Sequence, residues 1–128
     1  MHFAERRYPK ADAIDEVSSR PDFSVLLYPA YLAENDKLHP DVKITKETPP
    51  AFLVHAGDDR VSPINSALYY VGLKQAGVPS ELHIYASGGH GYGLRPTEKP
   101  ASFGSRVRRR MDWSGRASKP IARIWIYT

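Results

Sequence analysis

A chain of 128 residues with 41% hydrophobic and 25% charged residues has the composition of one modest globular domain with a core of its own. The absence of cysteine removes disulfides, thiolate metal sites and cysteine nucleophiles together, and no apolar run approaches the roughly eighteen residues of a membrane span. The net charge of +4 is uneven, with residues 101–128 carrying +6 and residues 1–100 carrying −2, so the body of the chain is not built to attract nucleic acid.

The opening Met-His-Phe-Ala-Glu-Arg-Arg lacks the apolar stretch of a signal peptide, which leaves localisation open. Residues 1–21 show no sustained period, and they read as loop with a helical turn around Ala11 to Val17. Phe23 to Tyr28 is a short β-branched and aromatic run closed by Pro29, which suits a strand buried on both faces of a parallel sheet. Ala30 to Thr48 is polar and predicts an irregular surface excursion. Ala51 to Ala56, between Pro49-Pro50 and Gly57-Asp58-Asp59, predicts a second strand. From Pro63 the pattern is helical, with Ala67, Leu68, Val71 and Leu73 apolar and Gly77 placed for a C-terminal cap. Leu82, Ile84 and Tyr85 predict a third strand, and the glycines from Ser87 to Gly93 exclude regular structure there.

Strand, helix and strand in that order make a βαβ unit, and with the preceding buried strand they predict an α/β fold around about three parallel strands with flanking helices. Beyond residue 100 the chain is rich in Arg, Ser and Gly, and no apolar stripe survives more than a turn. The expected organisation is a partial α/β domain over 1–100 and a basic, weakly ordered tail over 101–128. That tail lacks the interleaved aromatics that stack on bases, so no nucleic-acid partner is expected.

In parallel sheets ligands bind at the C-terminal ends of strands, and Asp58, Asp59 and His90 fall at two such ends. Taken alone, an Asp-Asp pair after a strand is more often a turn or a helix cap, and a histidine between glycines is a solvated loop residue. As a pair separated by one crossover helix, they have the composition of an acyl-transfer acid and base: the histidine moves the proton and the carboxylate holds its tautomer. A metal site built on Asp58, Asp59 and His90 is disfavoured, because no second histidine stands at the i+3 or i+4 spacing of local metal motifs. His55, inside the second strand, reads as structural, and His2, His39 and His83 as surface residues.

Two segments, His55-Ala-Gly-Asp-Asp-Arg-Val-Ser-Pro63 and Gly88-Gly-His-Gly-Tyr-Gly-Leu-Arg95, resemble the acid and histidine motifs of α/β-hydrolase esterases, the acetyl-xylan-esterase-like group often labelled endo-1,4-beta-xylanase B. Asp15 to Tyr31 resembles the stretch between the nucleophile elbow and the sixth strand of such enzymes, so the likeness covers roughly residues 10 to 99. It implies the C-terminal portion of an α/β-hydrolase fold, with Asp59 as catalytic acid, His90 as catalytic histidine, no cofactor, and an acylated carbohydrate or another small ester as substrate. No Gly-x-Ser-x-Gly occurs in the chain, and the expected Trp-containing helix after Pro100 is replaced by Arg106-Val-Arg-Arg-Arg110. The expectations that follow are an active site without its own serine, a divergent C-terminal end from a shifted frame or recombined gene, and association through an exposed sheet edge. A prolyl-oligopeptidase-like peptidase fragment and an inactive truncated product are the alternatives.

Overall fold

A computed structural model describes residues 8–92 and, for the backbone alone, residues 124–127. After a short 3-10 turn at Ala13–Glu16 come β1 (Phe23–Leu27), β2 (Ala33–Glu34), β3 (Lys37–Leu38), β4 (Ala51–Ala56), α1 (Ile64–Gln75), β5 (Ser80–Tyr85) and β6 (Ile124–Tyr127). The main sheet has the order β5-β4-β1-β6, and every pairing in it is parallel.

The buried position of β4, flanked on both sides, explains its composition: all six of its residues are buried, and the run has no alternation because both faces are covered. Successive side chains point to opposite faces. Val25, Leu27, Phe52, Val54 and Ala56 fall on one face, with Tyr28 and Tyr92. Leu26, Ala51 and Leu53 fall on the other, against Tyr69 and Leu73 of α1 and Val78 beyond it. Each fully buried side chain of the Leu53 or Leu73 kind contributes about 1.5–3 kcal/mol by leaving water.

Helix α1 ends as its sequence predicts. Gly77 adopts φ 73°, the Val78 N–H donates to the Leu73 carbonyl at 2.9 Å, and the Gly77 N–H donates to that of Lys74 at 3.1 Å. This is a Schellman termination, and the Val78 and Leu73 side chains close it apolarly inside the same cluster.

The excursion between β1 and β4 is more ordered than its polarity suggests. Ala33 pairs with Leu38 and Glu34 with Lys37 around a two-residue turn, Asn35-Asp36, whose φ values of 49° and 57° mark a type I′ turn. Leu32, Leu38, Val42 and Ile44 pack against the α1 face of the core, and Asn65 of α1 holds the segment by accepting from the Leu32 and Ala33 N–H groups, both at 2.9 Å.

The three expected strands are present, and β6 adds a fourth along the open side of β1, with Phe23 opposite Ile124 and Leu26 opposite Tyr127. The segment read as a weakly ordered tail therefore contains a strand at Ile-Trp-Ile-Tyr, four residues of high β-propensity that satisfy the β1 ladder. The remainder of 101–128 lies outside the described residues, as does His2. Among the described residues no helix is long and apolar enough to cross a membrane.

Candidate functional site

Because the strands are parallel, the ends of β1, β4 and β5 converge on one rim, and the groups singled out by sequence gather there. The turn after β4 lies tight against the end of β5: the Gly57 N–H donates to the Tyr85 carbonyl at 2.6 Å, and a Cβ on Gly57 would stand 3.3 Å from that same oxygen. A side chain there would push the Asp58-Asp59 turn away from the histidine loop.

The two aspartates divide the work. Asp58 Oδ1 accepts the Gly88 and Gly89 N–H groups, each at 2.9 Å, and so fixes the backbone of the histidine loop. The Asp59 side chain has no solvent exposure and faces the ring of His90, whose Nδ1 lies 3.0 Å from Oδ1 and 2.9 Å from Oδ2. Asp59 Oδ1 also accepts the Val61 N–H at 2.8 Å, and Oδ2 lies 3.3 Å from His55 Nε2.

Burial by itself would push the Asp59 carboxyl up. The Val61 N–H, the bond from His90 and the two nearby imidazoles outweigh burial and hold it below the usual carboxylate value. An ionised Asp59 only accepts, so His90 Nδ1 must carry a proton, and the lone pair of the neutral ring stands on Nε2. The His90 side chain is 30% exposed. The arrangement can take up a proton at Nε2 and stabilise the resulting imidazolium against a buried carboxylate.

Two tyrosines shape the wall. The Tyr28 ring centroid lies 4.6 Å from that of His90, and Tyr92 meets Tyr28 edge-on at 4.7 Å. Tyr28 adopts φ 42°, an uncommon conformation for a bulky residue that costs about 1–2 kcal/mol, and this strain falls where β1 delivers its last side chain to the site. The Tyr92 hydroxyl donates to the Val54 carbonyl at 3.4 Å, and burial, followed by neighbouring Tyr28 and Asp59, pushes it well up, so it stays neutral.

Asp59 and His90, expected from sequence at adjacent strand ends, are in contact in the structure. Tyr28 and Tyr92 were not expected there, although a tyrosine closing a buried strand before Pro29 and another two residues after His90 were available signals. Of the other histidines, His39 lies beside Glu34 and Asp41, while His83 pairs with Glu81 and, against its surface reading, is half-buried between the Phe52 and Tyr85 rings. The Asp59 oxygens accept from His90 Nδ1 and the Val61 carbonyl accepts from His55 Nε2, so both of these nitrogens are donors.

Comparison with known proteins places this geometry in context. The model of the prolyl oligopeptidase family matches residues 27–119. An acetylxylan esterase from Xylanibacter ruminicola is 32% identical over a 101-residue alignment that covers 59% of this chain and 21% of that protein. The crystal structure of an acetyl ester-xyloside bifunctional hydrolase from Caldicellulosiruptor lactoaceticus superposes with a TM-score of 0.62 at 32% identity, covering 79% of this chain and 45% of that one. An alpha/beta hydrolase from a Medee basin deep-sea metagenome library superposes with a TM-score of 0.55 at 31% identity, covering 76% and 43%. The chain thus spans less than half the length of each of these relatives.

Proposed function

The chain belongs to the prolyl oligopeptidase family, and from that premise we propose that Asp59 and His90 are the acid and general base of a serine hydrolase that cleaves carboxylic esters. Its lineage is that of the α/β-hydrolases and their esterase members. The observation that carries the proposal is the partly exposed His90 ring, held through Nδ1 on both oxygens of a buried carboxylate.

In this reading His90 Nε2 takes the proton of a serine hydroxyl as that oxygen attacks the ester carbonyl, then returns it to the departing alcohol. Water repeats the cycle on the acyl-serine. Asp59 keeps the proton on Nδ1 throughout and stabilises the imidazolium. The serine would come from outside these 128 residues, which contain no Gly-x-Ser-x-Gly. An acylated carbohydrate is the proposed substrate, on the strength of two relatives whose names specify acetylated xylan and an acetyl ester with a xyloside. The family name also supports a peptidase reading, since fold does not fix the bond cleaved.

The test is a chimera in which residues 27–92 replace the matching segment of the Caldicellulosiruptor lactoaceticus enzyme. It should hydrolyse p-nitrophenyl acetate, and His90→Ala or Asp59→Asn should lower kcat by about 10³–10⁴-fold in folded protein. Equal rates in the chimera and its folded His90→Ala variant would end this reading. Turnover of a prolyl p-nitroanilide in place of the ester would favour the peptidase.

A further inference from the structure

His55 reads from sequence as a core histidine, and its surroundings are those of a component of the site. It has no solvent exposure, as has Ser66 of α1, whose hydroxyl lies 2.8 Å from His55 Nδ1. The other nitrogen, Nε2, lies 2.9 Å from the Val61 carbonyl and 3.3 Å from Asp59 Oδ2. A carbonyl only accepts, so Nε2 carries the proton and Nδ1 accepts from Ser66. Burial, the largest influence on this imidazole, holds it below its usual value, which keeps the neutral tautomer in place at pH 7.

The order Ser66, His55, Asp59 has the chemistry of a hydrolytic triad, yet none of the three side chains is open to solvent and no substrate reaches that hydroxyl. What the cluster does instead follows from the closed circuit it makes. Val61 donates its N–H to Asp59 Oδ1, its carbonyl accepts from His55 Nε2, and that nitrogen stands 3.3 Å from Asp59 Oδ2. A carboxylate turns freely about its last torsion, and one donor fixes only one of its oxygens. The Val61 N–H is bonded to Oδ1 and the His55 imidazole stands beside Oδ2, so each oxygen has a polar neighbour within the β4–α1 connection as well as His90.

We propose that His55 is a positioning residue, a buried donor that orients the Asp59 carboxylate so that both oxygens meet His90 Nδ1, with Ser66 fixing the tautomer that makes this possible. The inference rests on the reading of Asp59 and His90 as a working pair.

Two polar replacements separate positioning from filling. Gln reaches the Nε2 position and can donate there, whereas Asn matches only the Nδ1 end and leaves the Asp59 side empty. The readout is the low-field proton resonance of His90 Nδ1–H, recorded by NMR on the full 128-residue chain at pH 7, with circular dichroism and thermal unfolding to verify the fold. The wild type should show this resonance and Asp59→Asn should lose it. In His55→Asn the proton should broaden away or exchange with water more than about tenfold faster, because the unpinned carboxylate releases it. His55→Gln should restore the resonance. A folded His55→Asn chain with the resonance unchanged, or a His55→Gln chain that neither folds nor restores it, overturns the positioning role and leaves the Asp59–His90 pair intact. A wild-type resonance that is missing, or that survives Asp59→Asn, overturns the pair itself.

Discussion

Asp59 and His55 share one buried pocket, and both are held below their usual protonation range. Their consequences for stability point the same way on the pH scale. A histidine whose folded value lies below 6.5 binds fewer protons folded than unfolded, so its contribution is complete above 6.5 and declines as pH falls through the folded value. Asp59, depressed from 3.8, contributes fully above that value and loses its contribution as pH falls through the folded value. The urea midpoint of the chain should therefore start to fall below about pH 6.5, and His55→Gln should remove that first decline while sparing the loss at lower pH. Asp59 and His90 could be singled out from sequence because they stand on successive strand ends one crossover apart, within segments that resemble the acid and histidine motifs of α/β-hydrolase esterases. The part played by His55 could not be, because its partner Ser66 is eleven residues away on a helix whose rotation no local pattern states.

Among the elements, α1 and the strands around it announced themselves through composition and punctuation. Leu73, Gly77 and Val78 write a helix end, and the apolar run Ala51 to Ala56 between turn residues reads as a buried strand. The β2–β3 hairpin did not announce itself, since its strands are two residues long and its signal reduces to Asn35-Asp36, the residue types that tolerate positive φ. What holds this hairpin is the side chain of Asn65, which satisfies two backbone N–H groups and donates through Nδ2 to the Ser62 carbonyl at 2.9 Å. Asn65→Ala should destabilise the chain by about 1–3 kcal/mol, because both N–H groups lose their acceptor in a poorly hydrated place. Chemical denaturation measures that loss. The circular dichroism of the folded variant should remain near wild type, since α1 keeps its apolar contacts.

Among the described residues, β6 covers the side of β1 that faces away from β4. Without it, β1 would present a row of free N–H and C=O groups along a strand whose residues are almost all buried, a template for pairing with another chain. Removing residues 124–128 should shift the protein from its initial state to larger species, measured by light scattering after size exclusion. An unchanged mass would show that β1 needs no such cover. The opposite edge, β5, is better defended: Glu81 and His83 place charge and a polar ring along it, and its residues are half-exposed.

Asp58 and Asp59 are chemically identical neighbours with different tasks, one latching the amides of Gly88 and Gly89, the other receiving the ring of His90. This makes the number of residues in the turn after β4 a constraint in its own right, beside their identity. An insertion or deletion of one residue between Ala56 and Arg60 would still leave an aspartate near the rim, but successive side chains leave the backbone in different directions. The carboxylate meant for the ring would then meet the loop, or solvent, in its place. A change in the length of this turn would therefore break the pairing even with every residue type retained.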